Sequence, residues 1–386
     1  MIAGGGAMGS ACAYFLSTTP QFRGTVLVVE PDPTYQTAAS ARSASSIRLQ
    51  FSSPINIELS VFGMQFLRDA SGCPAQGGVS ADVGLVESTY LYLATRHGRA
   101  ALEQRVSIQQ SLGVAATLHE RAALTSRYPW LNTEDLAAGC DTDRGEGWFD
   151  GHSLLRALRA ENEFRGVQYL RDRVVGFEQH ADRHIAAAKL ETHGRIGCGY
   201  AVNAAGTASR ALAEAAGIEL PVFARKRQVF VFTCPTPLPR CPLVIDPSGL
   251  WFRPERDRFI CGPPAHPDPD VAIDDFEVDY SLFESTAWPI LAHRVPAFEA
   301  CRMNSAWAGH YDYNDFDQNA FVGPTPGIPN LLLASGFSGH GLQQSPGIGR
   351  GLAEYICFGN YRTIDLSPLS YARFLADAPL RELNVI

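Results

Sequence analysis

Short apolar runs alternate with helix-length amphipathic stretches along most of the chain. Met1–Ala3 reads as a brief strand, and the apolar stretch from Met8 to Leu16 reads as a helix. Thr25–Val29 is β-branched and reads as the next strand, ending at Glu30. Asn56–Ala70 carries Ile57, Leu59, Phe62, Phe66 and Leu67 at helical spacing. A glycine-rich break at Ser71–Gly78 predicts a crossing into another domain. Leu85–Ala94 alternates as a strand, Gly98–Leu112 suits a helix, and Asn132–Glu134 is an acidic turn. GEGWFD leads into a helix over Gly151–Phe164, with Asp150 or Ser153 as its cap. Val167–Phe177 holds the apolar pair Val174–Val175 in strand context. Gly199–Ala205 reads as a buried strand, and a helix over Ala208–Ala216 stops at Gly217. Pro221–Cys234, Leu250–Arg253, Phe259–Gly262 and Ser305–Gly309 predict a mainly antiparallel region, with one helical stretch at Tyr280–His293. Asn330–Ala334 is a last apolar strand before a helix ending near Phe358.

Gly4, Gly6 and Gly9 form G-x-G-x-x-G between the first strand and the first helix. The first glycine permits the tight turn, the second lets a pyrophosphate approach, and the third lets helix and strand pack closely. The N–H groups opened at the helix start, around Ala7 and Met8, suit phosphate. Glu30 lies about twenty residues on, where an acid accepts from ribose hydroxyls. An ordinary glycine-rich turn explains neither the flanking strands nor Glu30. The motif predicts a dinucleotide, NAD or FAD. The serine-rich stretch that follows offers Ser40, Ser43, Ser45, Ser46 and the cation Arg42 to the same ligand. A second strand–glycine–helix unit recurs at Ala205–Gly206, and a third at GFSGHG, where Gly336, Gly339 and Gly341 precede a helix. One nicotinamide site needs only one such unit. The repeated return suits FAD, with a helix N-terminus from the far end of the chain set against the flavin ring.

The 386 residues carry a formal charge of -8, 46% hydrophobic and 19% charged residues, which fits a soluble globular protein and speaks against nucleic acid as a partner. No apolar run is long enough to span a bilayer, and a chain opening on the first strand is expected to carry no secretory leader. That strand is short, so either it is brief or the start has been placed late. Nine scattered cysteines without a CxxC pair predict free thiols in a reducing compartment and no metal site. The expected location is the cytoplasm, or the mitochondrial matrix if an N-terminal extension precedes Met1.

GGGAMG with Glu30, the SARSAS loop, VNAAG and NLLLASGFSGHGLQQSPGIGR resemble the D-amino-acid oxidase and sarcosine oxidase family of FAD enzymes over essentially the whole chain. QFSSPINIELS, GEGWFD and AWAGHYDYNDFDQNAFVGP are similar to its FAD-dependent oxidoreductase domain-containing subgroup, whose mitochondrial members are associated with respiratory complex I assembly. The resemblance implies an α/β fold: a Rossmann-type FAD-binding domain over 1–75, 140–220 and 325–386, with an interleaved α+β substrate domain over 76–139 and 221–324 built on an antiparallel sheet. It implies hydride transfer from a C–N bond of a small amine or amino acid, and extends the cofactor set to Ala44, Val174, Ser338, His340 and Leu342. Electrons would then pass to a quinone, another carrier or oxygen. An arginine after W-A-G clamps the substrate carboxylate in family dehydrogenases, where this chain has Tyr311. A lysine after GHG in sarcosine oxidases is replaced by Gln343, and the lysine assigned to oxygen reactivity by Ile260. Gly309 and His310 occupy the place of a flavin-linked cysteine, which implies non-covalent FAD. Arg227 matches an arginine on the substrate side, Arg48 lies near the flavin loop, and Trp251 falls at an aromatic lid. A dehydrogenase is the expected activity. The alternatives are a flavoprotein that mainly binds a partner and a nicotinamide dehydrogenase.

Overall fold

In the computed structural model, which describes residues 1–72 and 82–383, a six-stranded and an eight-stranded sheet share one elongated cavity. The expected crossing at Ser71–Gly78, with the domain limit at 75/76, lies largely outside the described residues. Ile2–Ala3 is an inner strand of the first sheet, although only two residues long. It pairs in parallel with Leu27–Glu30 on one side and Ala201–Asn203 on the other. Ile328–Ser335 and Gln168–Arg171 extend the sheet in parallel, and Phe321–Thr325 closes one edge antiparallel. These inner strands are covered on both faces, so they read as unbroken apolar runs such as LVV and LLLA.

The helices Ala7–Thr18 and Gly341–Phe358 cross at glycine. A Cβ at Gly349 would fall 2.6 Å from the Ala11 carbonyl carbon. Helix Pro54–Gly72 lies against the same C-terminal helix, where a Cβ at Gly63 would meet the Gln343 carbonyl at 2.3 Å. Helices Ala7–Thr18 and Pro54–Gly72 therefore both pack on the C-terminal helix Gly341–Phe358.

The second sheet runs in the order Arg302–Asn314, Val222–Thr233, Arg258–Gly262, Trp251–Glu255, Leu243–Ile245, Tyr90–Thr95, Leu136–Thr142, Ala116–Glu120. Every pairing in it is antiparallel except Leu243–Ile245 with Tyr90–Thr95. Its long ribbon exceeds expectation: the strand read as Ser305–Gly309 spans Arg302–Asn314. The polar run HYDYN looks like loop, yet its backbone is paired from Val222↔Asn314 through Arg227↔Gly309. Both neighbours of Leu136–Thr142 continue its ladder, and Phe321–Thr325 pairs antiparallel with the edge of the first sheet. Among the described residues, no helix is long and apolar enough to cross a membrane.

Candidate functional site

The cavity measures about 1060 Å³, and its lining reaches from the Glu30 region to the ribbon residue Tyr311. At the Glu30 end, Gly4 takes φ +98°, and a Cβ there would stand 2.3 Å from the Ala204 carbonyl oxygen. Gly9 serves packing, since its Cβ would stand 1.9 Å from the Gly4 oxygen. The helix over Ala7–Thr18 begins at Gly6 with no side-chain cap, so its first N–H groups open toward the cavity. Ser40 Oγ accepts one of them, from Ala7, at 3.3 Å. Glu30 accepts from the Gly5 and Asp32 N–H groups at 2.8 and 2.9 Å. Burial nonetheless raises its carboxyl above the ordinary value. Helix Gly341–Phe358 likewise starts without a side-chain cap, at His340. Two uncapped helix starts and glycine turns too tight for a Cβ fit a long ligand with an anionic middle, such as FAD.

At the other end the ribbon supplies Arg227, Val229, Gly309 and Tyr311, alternate positions on paired strands and hence one face. Tyr311 lies on Gly339, where a Cβ would come within 2.6 Å of its ring. Trp251 lies on its register partner Gly262 in the same way, at 2.3 Å. Both aromatics therefore depend on a facing glycine. Arg227 stands 4.9 Å from the Tyr311 ring centre and binds both oxygens of Asp268 at 2.7 and 2.8 Å. Burial works against its charge, but Asp268 outweighs this and holds it above its ordinary value. The same loop returns Asp275 to Lys226 at 2.7 Å and Asp270 to Arg225, so each base of the cluster meets an acid of this loop. Phe276, also in this loop, covers Arg42 and stacks on His310.

A smaller cavity of about 70 Å³ adjoins the first, shares Trp251 and Tyr311 with it, and is lined further by Arg48, Tyr90, His340 and Gln343. Arg48 is 6% exposed and places Nη2 3.0 Å from His340 Nε2. The Phe51 ring lies 4.5 Å from the Arg48 guanidinium. Gln343 Oε1 accepts the Arg48 N–H at 2.8 Å.

Asp312 also lines the larger cavity. Its carboxylate accepts the Gly336 N–H at 2.7 Å, and its carbonyl accepts the Ser338 N–H at 3.0 Å. Burial pushes its carboxyl up to about 6, against the N–H groups of Phe337 and Gly336.

The larger cavity thus brings together Gly4, Gly6, Ala7, Met8, Glu30, Ser40, Arg42, Ser43, Ala44, Val174, Ala205, Gly206, Gly339, Gly341 and Leu342 of the expected cofactor set. Ser46 and His340 line the smaller one. Gly9, Gly336 and Ser338 line neither, and instead shape the turns behind the walls. Of the expected substrate residues, Trp251 and Tyr311 line both cavities, Arg227 lines the larger, and Arg48 and Gln343 line the smaller. Ile260 lies outside both linings, buried in the sheet. Sequence reading missed Asp268, Phe276, Tyr90 and Asp312. Asp312 carried a signal, as an acid inside an otherwise paired aromatic run. The acids of the 263–279 loop carried none, because their partners lie about forty residues upstream.

The family model described as FAD dependent oxidoreductase, DAO, matches residues 1–355. FAD-dependent oxidoreductase domain-containing protein 1 of Xenopus laevis is 40% identical over 425 residues, covering 100% of this chain and 84% of its own. Among solved structures, L-proline dehydrogenase from P. horikoshii superposes with a TM-score of 0.84 at 21% identity, covering 98% of each chain. Glycine oxidase from Geobacillus kaustophilus superposes with a TM-score of 0.77 at 22% identity, covering 96% of each.

Proposed function

Because the chain belongs to the DAO family of FAD-dependent oxidoreductases, we propose that it oxidises the C–N bond of a small amino acid or N-methyl amino acid. The single observation carrying the substrate class is Arg48, a buried cation on the wall of the small cavity beside Tyr311 and Trp251. FAD, when bound, takes up the hydride released from the substrate carbon. Gly4, Gly6, Ala7 and Met8 would hold its pyrophosphate and Glu30 its ribose. Ser40, Arg42, Ser43, Ala44, Val174, Ala205 and Gly206 would line its path. The helix start at His340–Leu342 would stabilise negative charge near the ring. Gly309 and His310 offer no thiol for a covalent link.

Arg48 holds the substrate carboxylate, a charge that needs a cation wherever water is excluded. His340 and the Phe51 ring orient the guanidinium, while Tyr311 and Trp251 close over the reacting carbon and keep water away. Arg227 is the weaker candidate, since Asp268 already takes both its forks. The two solved neighbours are by name a dehydrogenase of L-proline and an oxidase of glycine, which supports an amino-acid substrate. With Ile260 and Gln343 in place of lysines, electrons pass to a quinone or protein carrier in preference to oxygen. A mainly partner-binding flavoprotein is the second reading, and it would be favoured by a cavity without cations; Arg48 and Arg227 both line the walls.

The test mixes purified protein with candidate amino acids and an artificial acceptor. Acceptor-linked turnover well above oxygen consumption is expected. Oxygen consumption as fast as the acceptor-linked rate would overturn the dehydrogenase assignment.

A further inference from the structure

The segment Arg48–Ser53 is irregular backbone between the strand Ser46–Ile47 and the helix Pro54–Gly72. Most of it is buried, so its N–H groups must find acceptors without a sheet ladder. They find them almost entirely on side chains from distant parts of the chain. Gln343 takes the N–H of Arg48 at 2.8 Å. Glu146 takes those of Leu49 and Gln50 at 2.8 and 3.2 Å. The Phe51 N–H closes a tight turn onto the Leu49 carbonyl at 2.9 Å. Glu382 then takes those of Ser52 and Ser53 at 2.8 and 3.1 Å.

Glu382 is 2% exposed, and it also accepts from Ser52 Oγ at 2.7 Å and Asn56 Nδ2 at 2.9 Å. Burial works to raise its carboxyl. The Ser52 hydroxyl and the neighbouring His340 ring, with further donors, bring it below the ordinary value. It therefore sits as a carboxylate at the start of the long helix, where the helix dipole favours an anion. The segment that carries it is docked by its own polar contacts. Asp317 accepts the Leu380 N–H at 2.9 Å, Asn319 donates to the Leu380 carbonyl at 2.5 Å, and the Leu383 N–H reaches Ser52 Oγ at 2.9 Å. Arg373 in turn grips Asp317 through Nε at 2.7 Å.

We propose that Glu382 is a positioning residue for anion binding: the docked segment Leu380–Leu383 fixes the Arg48 loop from behind, and so fixes where the Arg48 guanidinium stands in the small cavity. The loop has no ladder of its own, so loss of one side-chain acceptor lets it move. A guanidinium displaced by an ångström no longer meets a carboxylate held over the reacting centre. The inference rests on Arg48 as the anion-holding residue, and goes beyond it by giving that role to a residue that lines neither cavity.

The test uses the FAD-loaded full chain, with propionate as the anionic probe and propionamide as its neutral isostere, each titrated by its perturbation of the flavin absorption. Glu382→Gln is expected to weaken propionate binding by about tenfold or more while leaving propionamide unchanged and the unliganded flavin spectrum intact. Glu382→Asp is expected to recover part of the loss. If Glu382→Gln does not fold, Ser52→Ala removes the hydroxyl's bonds to the carboxylate and to the Leu383 N–H and is expected to act in the same direction, more weakly. Hydrogen exchange of the holoprotein supplies an independent arm: amides 48–53 should exchange about tenfold faster or more in the variant, with helix Ala7–Thr18 unchanged. Equal propionate affinity in variant and parent, or equal losses for both probes, would overturn the proposal. If the parent itself binds no propionate, the Arg48 assignment fails. The exchange arm then decides the positioning role, and unchanged exchange at 48–53 would overturn that as well.

Discussion

Arg48 and Arg227 bring the same charge to the walls of the two adjoining cavities on different terms. Arg227 is held by a bidentate carboxylate, Asp268, whereas Arg48 is buried with His340 Nε2 and the Phe51 ring among its contacts. Losing the cation opposite a desolvated carboxylate costs several kcal/mol, so Arg48→Gln is expected to lower kcat/KM by about two to three orders of magnitude. Arg227→Gln should change it by less than about tenfold, as for a partly exposed pair. Steady-state kinetics on the same amino acid checks both, and equal effects would contradict the distinction. Asp312 makes a second residue-scale prediction. Its folded-state value of about 6 lies above the ordinary 3.8, so the folded chain holds this proton more tightly than the unfolded one. Stability from this group is greatest below the ordinary value and declines as pH rises through the folded one. Relative to Asp312→Asn, the parent should lose on the order of 2–3 kcal/mol between those limits. Unfolding midpoints of both holoproteins across that range measure the slope, and parallel curves would contradict the assignment.

The elements themselves were largely legible, because their signals are local. The helix over Gly151–Phe164 appears with the expected limits, and Asp150 caps it by accepting the Ser153 N–H at 3.0 Å. Gly217 at φ +76° ends the turn after the helix Ser209–Glu214, as a glycine stop should. The ribbon strand Arg302–Asn314 was under-read because its polar half is satisfied by a partner about eighty residues away, which no local pattern reports. The helix crossings were invisible for the same reason. Gly349 looks like one more residue of a glycine-rich helix, yet it is where Ala11 and Cys12 approach. Gly349→Ala should therefore destabilise by about 1–3 kcal/mol, the usual cost of overpacking. Gly359→Asn, at an open left-handed helix end, should cost well under 1 kcal/mol. Denaturant unfolding of the two variants tests this, and equal losses would contradict the crossing as the cause.

At the scale of the whole molecule, the site exists only because the chain returns to it. The glycine turn, through Gly4, Gly6, Ala7 and Met8, and the helix start at Gly341–Leu342 line one cavity from opposite ends of the sequence, and the interleaved sheet adds Arg227, Trp251 and Tyr311. The glycine turn was readable because its glycines stand at a set spacing, as a dinucleotide turn requires. The substrate end was readable only as candidates, since its geometry depends on register partners such as Trp251 with Gly262 and on acids in a loop with no motif. The most direct measurement is anaerobic mixing of the FAD-loaded protein with D-, L- and N-methyl amino acids, each beside the matching amine that lacks the carboxylate. Bleaching of the flavin by at least one amino acid, but not by its decarboxylated partner, and its loss in Arg48→Gln, is the predicted result. Bleaching by both members of the pair alike, or by no compound in the panel, would contradict it.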